Sequence, residues 1–312
     1  MFSVRIGALV ALGLLVAGCG SAPAPATAPS AGPSGAATPV RVVASTNVYG
    51  SIVRAIGGDR VTVKSIIDSP DADPHEYEAS PADAAAVAGA RIMVVNGGGY
   101  DDFAGTLVEA RSGQAAKPAV IDVVELSGLR AGQEEFNEHV WYSLPTAGKL
   151  ADRLAADLAA ADPAHAATYT ANAAAFRGRL GELTAKVDAI RAAHAGDRVA
   201  VTEPVPLYLV QDAGLQNATP PEFSEAVEEG SDPSAAVLND TLGLFTGKAV
   251  KALLANAQTE SGSTRQVEQA ATGVGIPVVT VTETLPAGVD DYVAWQGGQI
   301  DQLAAALNRP AA

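Results

Sequence analysis

Of the 312 residues, one is cysteine, at position 19, so no disulfide can form within the chain. Histidine is also scarce, with four residues at positions 75, 139, 165 and 194. A transition-metal site in this chain must therefore be built from imidazole and carboxylate rather than from thiolate. Aromatic residues make up only 5% of the chain, which speaks against a pocket for an organic solute, a class of site lined mainly by apolar and aromatic side chains. Lys and Arg total 20 against 35 Asp and Glu, for a formal charge of −15. That balance argues against nucleic acid and against a polybasic membrane contact, and it suits a protein that handles cations. The sequence has no Gly-x-Gly-x-x-Gly run, no Lys-Ser or Lys-Thr after the glycines at 97–99, no His-Glu-x-x-His pair and no Gly-x-Ser-x-Gly elbow.

What is present begins with an address. Residues 1–18 carry a single charge, Arg5, ahead of an apolar run at 6–16 that is too short to span a bilayer and reads as a secretory signal. The run ends in Leu15-Val16-Ala17-Gly18-Cys19, which resembles the lipobox of bacterial lipoproteins. Cys19 is then the expected lipidated N-terminus, anchoring the chain to the cell membrane on its extracytoplasmic face. Residues 19–39 are almost wholly Ala, Pro, Ser, Gly and Thr and are expected to form a tether.

From residue 40 onward, apolar strand-like runs alternate with helical stretches. Strands are expected at 40–45, 61–67, 91–95 and 119–124, with Asn96-Gly97-Gly98-Gly99 as a turn. Ser80, Pro81 and Asp83 mark a helix start. Helices at 146–161 and 164–194 follow, broken at Asp162-Pro163; some thirty residues in the second make a rod of roughly 45 Å. Strands then resume at 198–202, 250–254 and 276–281, with helices at 205–213 and 263–272 and a closing helix at 290–307. The expected fold class is α/β: two lobes with parallel sheets, at 40–161 and 197–312, joined by one long linking helix within 162–196.

His165 and His194 lie near the ends of the long helix, where a solvated histidine needs no further role. His75 and His139 stand in loops among acidic and aromatic residues, in Asp73-Pro74-His75-Glu76-Tyr77-Glu78 and Asn137-Glu138-His139-Val140-Trp141. The stretch 73–83 is similar to the first ligand motif of the zinc- and manganese-binding proteins that serve ABC importers, and 137–143 resembles their second. The resemblance covers 40–307 and implies two α/β lobes on a rigid helix, one divalent ion held between them, and a permease and ATPase as partners. It further implies His75 and His139 as ligands from the first lobe and Glu203, five residues before Tyr208, as the third. The fourth falls at the start of the last helix, on Asp290 with Asp291 as its rival, and Glu260 in Gln258-Thr259-Glu260-Ser261 becomes outer support.

Two neutral imidazoles and two carboxylates offset the charge of a divalent ion, which lowers the cost of holding it in a partly buried cleft. Glu203 stands where zinc-type members carry histidine, and the region 126–138 lacks their histidine-rich loop. A carboxylate there moves preference toward manganese or iron, while zinc still binds well by the Irving-Williams order. Asn137-Glu138 replaces the common Asp-Pro of the second motif. The expected function is capture of zinc or manganese by a monomeric lipoprotein without catalysis. A metal-dependent hydrolase and an organic-solute binder are the alternatives. The long helix implies modest motion on metal binding.

Overall fold

In a computed structural model of the chain, residues 38–69, 77–110, 117–130 and 136–309 are described. The first lobe begins with β1 (Val40–Thr46), α1 (Asn47–Gly57) and β2 (Val61–Ile67), followed by α2 (Pro81–Gly89) and β3 (Ile92–Val95). It continues through α3 (Asp102–Glu109), β4 (Ala119–Asp122) and α4 (Val123–Ser127) to a single 3-10 turn, Val140–Tyr142, and α5 (Leu144–Ala161). Then comes α6 (Ala166–His194), the long helix. The second lobe contains β5 (Arg198–Val201), α7 (Leu207–Asp212), β6 (Gln216–Asn217), α8 (Pro221–Glu228) and α9 (Ala235–Thr246). It ends with β7 (Leu253–Asn256), α10 (Gly262–Gly273), β8 (Val278–Val281) and α11 (Tyr292–Leu307).

Every strand pairing is parallel, and the sheets run β2-β1-β3-β4 and β6-β5-β7-β8. Each lobe thus uses the same order, its second strand outside its first. All four residues of β3 and of β7 are buried, as expected for central parallel strands covered on both faces, whereas the first four residues of edge strand β2 are only partly covered. In each sheet the order reverses between the first and third strands. The crevice beyond the carboxyl ends of those strands is where open α/β sheets place their ligands.

The linking helix α6 has 29 residues, about 43 Å of rod. Its buried residues, Tyr169, Ala173, Phe176, Leu180, Leu183, Val187 and Ile190, alternate steps of four and three, the seam of a helix packed along its whole length. They belong to one apolar core that runs through both lobes, with α5, α1 and α11 against it. Helix α11 approaches α6 closely at Gly297, where an added Cβ would lie 3.2 Å from Leu183 Cδ2.

The expected elements are found with shifted bounds: the strand expected at 250–254 lies at Leu253–Asn256, that at 276–281 begins at Val278, and the closing helix begins at Tyr292 rather than 290. Strand β4 stops at Asp122, because that carboxylate accepts the Glu125 amide at 2.9 Å and starts α4. Helix α5 starts at Leu144 rather than 146, with Ser143 as its cap and Pro145 in the first turn. The stretch between the expected helix at 205–213 and strand at 250–254, left without elements on sequence grounds, contains β6, α8 and α9. No helix of the described residues is long and apolar enough to cross a membrane.

Candidate metal site between the lobes

His139 ends the loop before the 3-10 turn, and its side chain is wholly buried. The loop is held from below by Asn96, the residue after β3. Its amide nitrogen donates to Glu138 O at 3.0 Å, and its Oδ1 accepts from Tyr49. Asn96 is itself positioned by Asp101, whose carboxylate accepts the backbone amides of Asn96 at 2.6 Å and Gly97 at 2.9 Å. The glycine turn makes this closure possible: Gly97 has φ +76°, and a Cβ there would lie 2.4 Å from Asp122 Oδ2.

Asn137 orients the imidazole. Its Oδ1 lies 2.7 Å from His139 Nδ1 and accepts the His139 amide at 3.1 Å. With Nδ1–H donating to that oxygen, loss of the imidazolium proton leaves the lone pair on Nε2, the arrangement usual for a ligating histidine. The same asparagine donates to Pro204 O at 3.0 Å, and Tyr208 OH donates to Asn137 O at 2.7 Å, so the loop is clamped to the second lobe. Tyr100 and Trp141 wall the ring, with centroids 5.9 and 4.9 Å away. His139 Nε2 is buried and lies 3.2 Å from Glu228 Oε1.

The second lobe supplies carboxylates from strand ends. Glu203 stands two residues beyond β5 and Glu283 two residues beyond β8, exposed by 2% and 8%. Asn256, the last residue of β7, donates its amide nitrogen to Glu203 Oε2 and, at 2.8 Å, to Glu283 Oε1. One side chain thus holds two carboxylates side by side. Tyr100 OH donates to Glu283 Oε2 at 3.1 Å, tying it to the first lobe. Gln258 fixes the Glu283 segment by accepting the amides of Glu283 and Thr284 at 2.7 and 2.9 Å. Glu203 Oε1 is buried and makes no hydrogen bond among the described residues.

These groups share one electrostatic neighbourhood. Burial opposes charging of His139, yet the charge and contact of Glu228, with Glu283 and Glu138 behind it, bring the imidazole up to about 9. Glu203 is pushed up to about 8, by burial first; its bond from Asn256 resists, and the charges of Glu283 and Glu228 add to the rise. Burial dominates the rise of Glu203 and the Glu228 charge that of His139, and a cation among these carboxylates would offset both burial and crowding. Among the described residues no three His, Asp or Glu side chains converge closely enough to hold one ion alone.

His139 and Glu203 are both buried, and both lie in the field of Glu228 and Glu283. His75 lies outside the described residues. Asp290 is exposed, and its backbone oxygen accepts from Ser51 Oγ at 2.7 Å. Asp291 caps α11, accepting the Ala294 amide at 2.8 Å, and pairs with Arg179 of α6 at 2.8 Å. Acidic residues at a helix start meet the demand of its free amides first. Glu283 occupies the place in the cluster that Asp290 was expected to take. Its sequence signal is local: Val281-Thr282-Glu283 repeats Val201-Thr202-Glu203 after a strand of the same sheet. Glu260 is exposed and paired with Arg265 at 3.2 Å, so Gln258 and Thr259, not its carboxylate, face the cluster. His165 and His194 pair with Asp162 and Asp197 at 2.7 and 3.0 Å, away from the cluster at the ends of α6.

Two parallel α/β lobes on one long helix, with imidazole and carboxylates meeting at the strand ends between them, define a helix-linked, two-lobed binding protein. The chain belongs to the family of the periplasmic zinc-uptake complex component A, whose model matches residues 42–306. It is similar to the manganese-binding lipoprotein MntA of Halalkalibacterium halodurans, 31% identical over 180 residues, covering 56% of this chain and 55% of that one. It is also similar to the iron ABC transporter substrate-binding lipoprotein MtsA of Streptococcus pyogenes serotype M1, 29% identical over 163 residues, 48% of this chain and 52% of that one. The chain thus spans about half the length of the curated relatives it matches. In fold it resembles the periplasmic zinc binding protein TroA from Treponema pallidum, with TM-score 0.73 and 20% identity over 87% of this chain and 100% of that one. It likewise resembles the binding protein FpvC from Pseudomonas aeruginosa in complex with Mn2+, with TM-score 0.71 and 24% identity over 86% and 98%.

Proposed function

We propose that this chain captures one divalent transition-metal ion outside the membrane and delivers it to the permease and ATPase of an ABC importer, with no catalysis of its own. The ion is the cargo. His139 of the first lobe and Glu203 and Glu283 of the second hold it, completed by His75 from the 73–83 motif. The observation that carries this reading is the buried His139 imidazole, its Nδ1 committed to Asn137 and its Nε2 3.2 Å from Glu228 Oε1, in a neighbourhood where Asn256 holds the buried Glu203 and Glu283 carboxylates side by side. Carboxylates buried this close to an imidazole are costly unless their charge is offset, and an ion between the lobes offsets it. The names of the relatives, manganese-binding and iron-transporting, agree with a site in which carboxylates match or outnumber imidazoles. Cys19 carries the lipid anchor, residues 19–39 are the tether, and the body acts as a monomer.

The test is calorimetric titration of the metal-stripped chain beginning after Cys19, with manganese and zinc separately, alongside Glu203→His. One-to-one binding is expected, with the variant shifted toward zinc over manganese. Absence of binding by either ion in the unaltered chain would remove the reading.

A further inference from the structure

His139 is fully buried, so an ion must reach its Nε2 from somewhere, and a cavity of about 610 Å³ between the lobes is lined by Glu138, next to it in the chain, and by Glu228, whose Oε1 lies 3.2 Å from that nitrogen. Phe136 and Glu138 line it from the first lobe, and Leu207, Glu225, Glu228 and Glu229 from the second. All its ionisable lining residues among those described are acidic. A cleft of one sign within low-dielectric walls focuses its field and raises the local concentration of counter-ions.

Glu228 belongs to both the cavity and the buried cluster. It lines the cavity wall, its side chain is 15% exposed, and its Oε1 lies 3.2 Å from His139 Nε2. It is the last residue of α8, and Glu225 and Glu229 flank it around the same turn. Three carboxylates at a helix C-terminus work against the helix dipole, so local stability does not explain their placement. Two ligands about 2.1 Å from one tetrahedral ion stand roughly 3.4 Å apart, close to the separation of Oε1 and Nε2. Glu228 can therefore hold an ion while His139 takes it.

We propose that Glu228 is the capture carboxylate: it receives the ion from the acidic cavity and passes it to His139 Nε2, after which His139, Glu203 and Glu283 retain it. The inference rests on the metal-binding reading above. A carboxylate on the path, rather than in the final shell, speeds entry and exit alike, so its loss changes rates more than affinity.

The experiment is stopped-flow mixing of the metal-free chain with manganese or zinc, followed by tryptophan fluorescence, since the Trp141 ring lies 4.9 Å from that of His139. Glu228→Gln is expected to lower the association and dissociation rate constants together, each by about tenfold, within the range of electrostatic effects on association. The dissociation constant should then move less than about threefold. Glu225→Gln with Glu229→Gln, which keeps Glu228, should slow association by about two- to threefold and weaken its dependence on salt. Association at the rate of the unaltered chain in Glu228→Gln overturns the inference. So does a loss of affinity arising only from faster dissociation, which would make Glu228 a static ligand. If the unaltered chain binds neither ion, the functional reading falls and this inference with it; binding by the unaltered chain with unchanged rates in the variant overturns this inference alone.

Discussion

The two lobes share a strand order and differ in what they bring to the site. The first lobe presents an imidazole from a loop, and the orienting group is a carbonyl oxygen, Asn137 Oδ1, that accepts from Nδ1. The second presents carboxylates from strand ends, and the orienting group is an amide donor, Asn256 Nδ2, shared between Glu203 and Glu283. Asparagine serves each lobe with the opposite end of its amide, because a neutral imidazole must be told which nitrogen carries its proton, whereas adjacent carboxylates must be kept from repelling one another. Clamping also differs. The loop of the first lobe is stitched to the second through Pro204 and Tyr208, so the imidazole cannot move without the lobe it faces.

The contrast breaks most sharply at the fourth ligand. Glu283→Gln should weaken metal binding by at least about 100-fold, more than the loss of an outer-shell partner, while Asp290→Asn should leave it within about twofold. Equal effects of the two, measured by competition with a chelator of known affinity, would mean that position in the strand-end pair is not what matters. The orienting asparagines give the next effect. Asn137→Ala and Asn256→Ala should each reduce affinity by about 10- to 100-fold, and for different reasons. The first frees the imidazole tautomer and the second lets the carboxylates part, so adding Glu283→Gln should worsen Asn137→Ala in full but Asn256→Ala only in part. Full additivity in both pairs would break the assignment of Asn256 to the carboxylates.

The smallest expected effect concerns stability. Helix α2 of the first lobe begins with a capping box made by Ser80 and Asp83, and α10 of the second with one made by Ser261 and Thr264. Only the first contains a titratable group. Burial raises the Asp83 carboxyl, but hydrogen bonds from the Ser80 hydroxyl and amide and from Tyr77, with the charge of Lys64, bring it below the ordinary carboxylate range. A carboxyl lowered on folding contributes stability that is present above its unfolded value, about 3.9, and is lost as pH falls through the folded one. Urea unfolding of the chain and of Asp83→Asn should therefore differ by about 1 kcal/mol at pH 6, and the difference should shrink as pH falls below the ordinary carboxylate value. Thr264→Ala should cost a similar amount at both pH values; a pH-dependent loss there would contradict the contrast between the two boxes.

Much of the architecture was legible before any coordinates. The buried parallel strands are apolar runs of four to seven residues, and Ser80-Pro81, Asp162-Pro163 and the three glycines punctuate them in ways that follow from backbone chemistry. His139 stood out through its loop and Glu203 only through the family resemblance, and both are buried in the structure. Asp290 misled because an acidic residue before a helix has two readings, cap and ligand, and the cap on Asp291 is satisfied by backbone three residues away. Glu283 and Glu228 were missed. The first repeats a strand-end triplet already visible at Glu203, but the second lies in a region with no clear period.

Local chemistry in the sequence alone determined the elements, their alternation and the need for an imidazole and carboxylate site, because one cysteine and four histidines leave no other ligand set. Which carboxylates meet the imidazole was decided only by the tertiary structure. Glu203, Glu228 and Glu283 are spread over 81 positions that include three strands, and only the order β6-β5-β7-β8 and the clamp across α6 bring them to His139. Charge, unlike hydrophobic periodicity, leaves no mark in the neighbouring residues that tells a solvated carboxylate from a buried one.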